Sequence, residues 1–259
     1  VTTAAAAETK LQIEGSTTVG PIADAFKEAV EDENPDVSIT VKKTGSGDGA
    51  AALVDGRCDI ATMSRFMKEK EFKKAVANAI MPVAHVVAMD GVCIVVNPEN
   101  PIKKLTAEQV KNIYLGKIDN WSELGGPDAE IQCYTRDSSS GTFETFHKLV
   151  MKKEDMAGGV SKASSNPDMH ATVAQTKGAI GYVGLGFVDA KVKALEIDGV
   201  MPNRKTIATG TYPVSRPLFM FTNGYPKLGS LTHKFVTFHL TMKGQDIIDA
   251  KGFVPLTDY

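Results

Sequence analysis

Tyr134-Thr135-Arg136-Asp137-Ser138-Ser139-Ser140-Gly141-Thr142-Phe143 follows an apolar run, 131–134, and precedes a helical pattern carried by Phe143, Phe146, Leu149 and Val150. It reads as a strand–loop–helix junction. The loop holds one fixed cation, Arg136, and several hydroxyls. Backbone N–H groups at a helix start, Ser and Thr hydroxyls and a guanidinium fork are all hydrogen-bond donors. A loop that converges them on one point suits a small oxyanion.

The same alternation of strand and helix continues on both sides. Residues 11–13 read as a short strand, followed by a helix over 21–30. Its apolar stripe is Ile22, Ala25, Phe26, Ala29 and Val30, and Pro21 suits its first turn. Val37, Ile39 and Val41 alternate as a strand should. A short helix over 50–54, a strand over 60–63 and a helix over 68–79 complete a βαβαβ order, which predicts an α/β lobe with a mostly parallel sheet. A second lobe is expected from near Gly91, opening with the continuous apolar strand 92–96. Thr106, with Gln109 three residues on, caps a helix that runs to about Tyr114, and Gly116 stops it. Residues 217–221 form a further apolar strand, and 230–242 a further helix.

The 259 residues, 42% hydrophobic, are enough to fill two cores. A formal net charge of −2 supplies no long-range positive field, which argues against a general nucleic-acid role and leaves any anion to local donors. No apolar run approaches the ~18 residues of a membrane span. The Ala/Thr-rich stretch 1–10 lacks the basic start and apolar core of a signal peptide and reads as a polar tail or linker. Cys58, Cys93 and Cys133 match no metal spacing, and Cys93 and Cys133 sit in apolar strand-like runs as small buried hydrophobes.

Three more loops repeat the grammar of the first: Gly15-Ser16-Thr17-Thr18-Val19-Gly20-Pro21, Gly45-Ser46-Gly47-Asp48-Gly49-Ala50 and Thr62-Met63-Ser64-Arg65. Each is expected to place a Ser or Thr at or near a helix N-cap. Any one of them is ordinarily a cap or a turn. Together they suggest a ligand edge, because loops at the C-terminal ends of strands gather on one side of an open α/β sheet. Other phosphate and catalytic motifs fail. The 45–50 loop lacks a Gly-Lys-Ser/Thr ending and a Gly-x-Gly-x-x-Gly pattern, and no Gly-x-Ser-x-Gly elbow occurs. The histidines form no His-x-x-x-His or Cys-His ligand pair. Ser138, Ser139 and Ser140 have no evident base. No metal, cofactor or catalytic residue is therefore expected.

On these loops the chain resembles the phosphate-binding component of bacterial high-affinity phosphate ABC transporters, the Pst system. The resemblance runs from Leu11 to about Leu256. It is carried by Gly15-Ser16-Thr17-Thr18-Val19 with Pro21, by Gly45-Ser46-Gly47, and by Ile113-Tyr114-Leu115-Gly116-Lys117-Ile118 with Trp121. Arg136 followed by Ser140-Gly141-Thr142, Gly178-Ala179-Ile180-Gly181-Tyr182-Val183 and Tyr212-Pro213-Val214-Ser215-Arg216-Pro217-Leu218 complete it. The resemblance implies a two-lobed periplasmic binding protein fold of type II, each lobe a mixed, mostly parallel sheet flanked by helices. Lobe I would take 1–91 and 218–259 and lobe II 92–217, with two hinge crossings and a ligand cleft between them. It implies a monomeric, extracytoplasmic protein, periplasmic or lipid-anchored at the cell surface. Such a protein is not an enzyme; it captures inorganic phosphate and delivers it to ABC permease subunits.

Carried over by position, the phosphate contacts implied are Ser16, Thr17, Thr18, Ser46, Ser64, Arg136, Ser140, Gly141 and Thr142. Many members have an aspartate just after the third strand that accepts the proton of hydrogen phosphate; here Ser64 stands there, followed by Arg65. Asp137, which adjoins Arg136 and is expected to orient its guanidinium, is the first candidate acceptor, with Asp48 and Ser64 next. Arg65 is either a second cation for the anion or the partner of a local acid. The alternatives are another tetrahedral oxyanion on the same fold, sulfate or a phosphonate, and an acyl- or phosphoryl-transfer enzyme using Ser140 or its neighbours.

Overall fold

The computed structural model describes residues 9–256. The reading of 1–10 as a tail falls outside that range except at its end, where Lys10 already opens a strand. Along the chain the elements are β1 (Lys10–Gly15), α1 (Gly20–Glu33), β2 (Ser38–Lys43), α2 (Ser46–Val54), β3 (Ile60–Met63), α3 (Glu69–Ala77) and β4 (Pro82–Val96). Then follow β5 (Lys104–Leu105), α4 (Ala107–Tyr114), β6 (Gln132–Arg136), α5 (Gly141–Leu149), β7 (Ser161–Ala163), α6 (Asn166–Gln175) and β8 (Ala179–Gly184). The chain ends with β9 (Lys193–Ala194), β10 (Glu196–Ile197), α7 (Arg204–Ala208), β11 (Ser215–Asn223), α8 (Leu231–Thr237) and α9 (Met242–Ala250). The α/β alternation predicted from periodicity is the observed one.

The described chain divides into two units. Within the described residues, unit 1 takes 9–88, 218–251 and 255–256, and unit 2 takes 89–217 and 252–254. Strands β4 and β11 each begin in one unit and end in the other, and residues 252–254 return briefly to unit 2 near the end of the chain. In unit 1 β1 pairs in parallel with β2 and with β3, and β11 lies antiparallel on the far side of β3. The C-terminal ends of β1, β2 and β3 therefore share one edge, where Gly15 lies opposite both Lys43 and Thr62. Leu53, Ala61, Met63, Phe219 and Phe221 pack together in this unit. Gly15 and Gly49 permit the tight stacking there. A Cβ on Gly15, at φ +140, would lie 2.1 Å from the Thr62 carbonyl oxygen, and one on Gly49 would lie 2.7 Å from the Gly15 Cα.

Unit 2 is built on β4, β8, β6 and β7. Strand β4 runs antiparallel to β8, and β6 runs parallel to both β8 and β7. Its core stacks Phe146 on Tyr182 with ring centroids 4.1 Å apart, and sets Tyr114 edge-on to Phe146. The α4 capping box is present in both directions: Thr106 Oγ1 accepts from the Gln109 N–H, and Gln109 Oε1 accepts from the Thr106 N–H.

The helix expected over 230–242 is broken. Helix α8 ends at Thr237, a 3-10 turn covers Phe238–Leu240, and Thr241 caps a new helix through the Gly244 N–H at 3.0 Å. The three thiols are unbridged, and burial holds Cys58 and Cys133 up to about 12 and Cys93 well above the usual range. They behave as small hydrophobes rather than nucleophiles. Among the described residues no helix is long and apolar enough to cross a membrane, and no His/Cys/Asp/Glu group is arranged to hold a metal.

Candidate functional site

In unit 1 the parallel register stitches the three loops together. The Ser16 N–H donates to the Thr62 carbonyl at 2.8 Å, and the Thr44 and Gly45 N–H groups both donate to the Gly15 carbonyl at 2.8 Å. Ser16 Oγ accepts from the Thr18 and Val19 N–H groups at 3.1 and 3.3 Å. With its lone pairs occupied, the hydroxyl has its proton left to donate. Ser46 Oγ accepts from the Ser64 N–H at 3.0 Å and lies 3.3 Å from Ser64 Oγ, where either hydroxyl can be the donor. Ser16, Thr17, Thr18, Ser46 and Ser64 are all buried. Asp48 lies on the first turn of α2, partly exposed, where a carboxylate favours the helix start.

Thr18 and Ser46 lie next to the α1 and α2 caps as expected, but no side chain of these loops makes the cap, and Ser64 lies away from one. Val19 precedes α1 without a side-chain cap, Gly45 stands at the α2 cap, and Lys68 rather than Ser64 precedes α3. Ser46 and Ser64 instead bond across loops, because the paired strands bring them together, while Ser16 Oγ turns back on its own loop. Arg65 pairs with a local acid: its Nη1 and Nη2 donate to Glu71 Oε2 and Oε1, both at 2.8 Å. A bidentate carboxylate offsets its charge, which removes it as a second full cation.

In unit 2 the first-quoted junction forms as read. Strand β6 delivers Arg136 and Ser140 caps α5, its Oγ accepting from the Phe143 N–H at 3.2 Å. The Gly141 N–H opens the helix, where no intrahelical carbonyl is available to it. Arg136 is 2% exposed. Its backbone N–H donates to the Tyr182 hydroxyl at 3.1 Å, its Nε to the Ala163 carbonyl at 3.0 Å and its Nη2 to the Ser164 carbonyl at 3.1 Å. Its Nη1 is buried with no hydrogen-bond partner among the described residues. A buried donor left unsatisfied is costly, and a guanidinium otherwise held rigidly offers such a donor to an anion at little further cost.

Asp137 does not orient that guanidinium; the two carbonyls of 163 and 164 do. The aspartate turns back on its own loop, where Oδ1 accepts from the Ser139 N–H and the Ser139 hydroxyl, each at 2.7 Å. This is an Asx turn, a local bond that outcompetes a contact to the preceding side chain. Burial pushes the Asp137 carboxyl up, but the Ser139 bonds and the Arg136 charge outweigh it and hold the group below the usual aspartate range. Its contribution to stability is therefore present above the ordinary aspartate pKa and lost as pH falls through the lower folded value. Asp137→Asn is expected to lower Tm at pH 7, and the gap from the native chain should narrow below pH ~4. A gap that stays constant from pH 7 to pH 3 would contradict this.

Sequence reasoning missed Arg216 and Asp90. Both are buried, with Arg216 Nε donating to Asp90 Oδ2 at 2.9 Å and Arg216 Nη2 donating to Thr142 Oγ1 at 3.1 Å. The available signal was a lone charge inside each of two apolar strands, of opposite sign.

An α/β chain in two units, with donor-rich loops at strand ends, has the build of a solute-binding protein. The family model described as the PBP superfamily domain matches residues 1–242. The phosphate-binding protein PstS of Bacillus subtilis (strain 168) is 37% identical over 253 residues, which cover 96% of this chain and 81% of that one. PstS of Staphylococcus saprophyticus is 35% identical over 269 residues, covering 97% and 82%. Among solved structures, one described as a phosphate ABC transporter substrate-binding protein of Clostridium perfringens with bound phosphate matches with a TM-score of 0.87. It is 33% identical and covers 95% of this chain and 99% of that one. The chain belongs to the family of phosphate-binding proteins PstS. The names describe binding proteins rather than enzymes.

Proposed function

We propose that this chain captures inorganic phosphate outside the cytoplasm and delivers it to the membrane permease of an ABC transporter. The buried Nη1 of Arg136, unsatisfied within its own unit, carries the reading. It lies four residues ahead of Ser140, the cap of a helix whose first turn favours an anion. The hydroxyls of Ser16, Ser46, Ser64, Ser140 and Thr142 would complete the donor set, together with Thr17, Thr18 and the Gly141 N–H. In this reading one phosphate takes donors from both sets, and the two strands that pass between the units act as the hinge of closure. The charge balance needs no basic surface. Arg136 supplies one full charge, helix starts supply about half a unit each, and hydroxyl and N–H donors replace water.

The serine-enzyme reading loses its footing at the Ser139 hydroxyl, which neighbours Ser140. Ser139 Oγ donates to Asp137 Oδ1, but a carboxylate held below its ordinary pKa is a poor general base at neutral pH.

Calorimetric titration of ligand-stripped protein with phosphate, arsenate and sulfate at two pH values tests the proposal. Stoichiometric binding of phosphate and arsenate, with sulfate weaker, is expected. Absence of phosphate binding, or sulfate binding more tightly than phosphate, would overturn it. Delivery is checked separately by phosphate uptake into vesicles that carry the permease.

A further inference from the structure

We infer that Arg216 is a positioning residue of the anion site: clamped by Asp90, it holds the Thr142 hydroxyl in one polarity, with its oxygen accepting and its proton directed away to donate. The inference rests on the phosphate-binding reading above and adds to it a residue that acts through another.

The geometry lies within unit 2. Asp90 is fully buried on β4, and Arg216, on β11, is 4% exposed. Arg216 Nη2 and Nε lie 2.8 and 2.9 Å from the same Asp90 oxygen, Oδ2, while Oδ1 accepts from the Leu185 N–H at 2.8 Å. Both carboxylate oxygens are thus engaged, and the guanidinium is tethered along one edge. From that fixed position Nη2 reaches Thr142 Oγ1. A guanidinium has only donors, so the Thr142 oxygen must accept, and its own proton must go to another acceptor. Thr142 lies on the first turn of α5, between the helix cap and the core, where an anion would collect donors.

The ion pair also has an electrostatic consequence. Arg216 is near enough to Arg136 to disfavour its charge, and Asp90 offsets Arg216. Arg136 has no carboxylate within ion-pair distance among the described residues, so it remains the group whose charge an anion must balance. A buried ion pair of this kind adds little net stability over apolar packing. Its presence across two strands is better accounted for by a geometric task.

A double-mutant cycle on phosphate affinity tests this. Arg216→Gln is expected to weaken phosphate binding about tenfold or more in the native chain, but less than about threefold when Thr142 is already valine. Thr142→Ser keeps the hydroxyl and should restore the full Arg216 effect. A purely structural Arg216 would lower Tm alike on every background and weaken phosphate equally with and without the Thr142 hydroxyl. Equal losses, or an unchanged dissociation constant in Arg216→Gln, would overturn the inference. If Arg216→Gln does not fold, Arg216→Lys, which keeps the charge against Asp90, enters the same cycle; an ammonium also only donates, so a smaller loss is expected, still confined to backgrounds that keep the Thr142 hydroxyl. The parent reading is judged apart from this. A native chain that binds no phosphate sinks that reading, whereas one that binds phosphate with additive losses sinks only the role of Arg216.

Discussion

Arg136→Ala is expected to remove most phosphate affinity, by about 3 kcal/mol or more, which is a factor of at least ~10² in the dissociation constant. The size follows from the place of the side chain. Burial disfavours the Arg136 charge, and Arg216 adds to that, but arginine stays protonated. A charge that remains buried without a carboxylate partner is compensated once a dianion binds. Its orientation also costs nothing at the moment of binding, because Nε and Nη2 are already tied to the Ala163 and Ser164 carbonyls. Arg136→Lys keeps the charge and loses the fork, since one ammonium cannot serve both carbonyls and the ligand. It should fall between the native chain and alanine. An Arg136→Ala protein that folds and binds phosphate with unchanged affinity in calorimetry would remove Arg136 from the site.

How much of this was legible follows from how local each signal is. Strand β3 matches its expected span, and the Arg136–Thr142 stretch forms the expected strand–loop–helix junction, with Ser140 at its cap, because caps and apolar runs are written in adjacent residues. The break after Thr237 was not read. Gly244 is packed so closely there that a Cβ would lie 2.0 Å from the Phe238 carbonyl, a contact between two helices that an apolar stripe does not report. The Ser46–Ser64 contact, the Arg65–Glu71 pair and the turning of Asp137 onto Ser139 are choices among nearby partners, and composition ranks none of them. The Asp90–Arg216 pair spans 126 residues, so only the register of the folded strands brings it together. A charge placed in an apolar strand signals that a partner exists without saying which one.

The second large effect concerns the anion's proton. Ser16 and Ser140 each spend lone pairs on backbone N–H groups, which leaves them as donors. Ser46 and Ser64 can exchange roles. If Ser64 donates to Ser46, its lone pairs are left to accept a P–OH proton; if Ser46 donates to Ser64, the Ser64 proton is left for a bare oxygen. In the proposed site such a pair takes both kinds of oxygen, so it separates phosphate from sulfate less sharply than a carboxylate would. Ser64→Asp replaces it with a group that, once ionised, only accepts. Hydrogen phosphate still carries a proton for it and sulfate carries none, so the phosphate-to-sulfate affinity ratio should rise by about 10² or more at pH 8. Unit 1 gives the new carboxylate little help, because Arg65 is already paired with Glu71. Burial should therefore raise its pKa and lower Tm. The gain in selectivity should then shrink toward pH 5, as the carboxyl takes up a proton and can donate to sulfate as well. A ratio unchanged from the native chain at pH 8 would place the reading of the proton elsewhere, with Asp137 and Asp48 the remaining carboxylates to substitute.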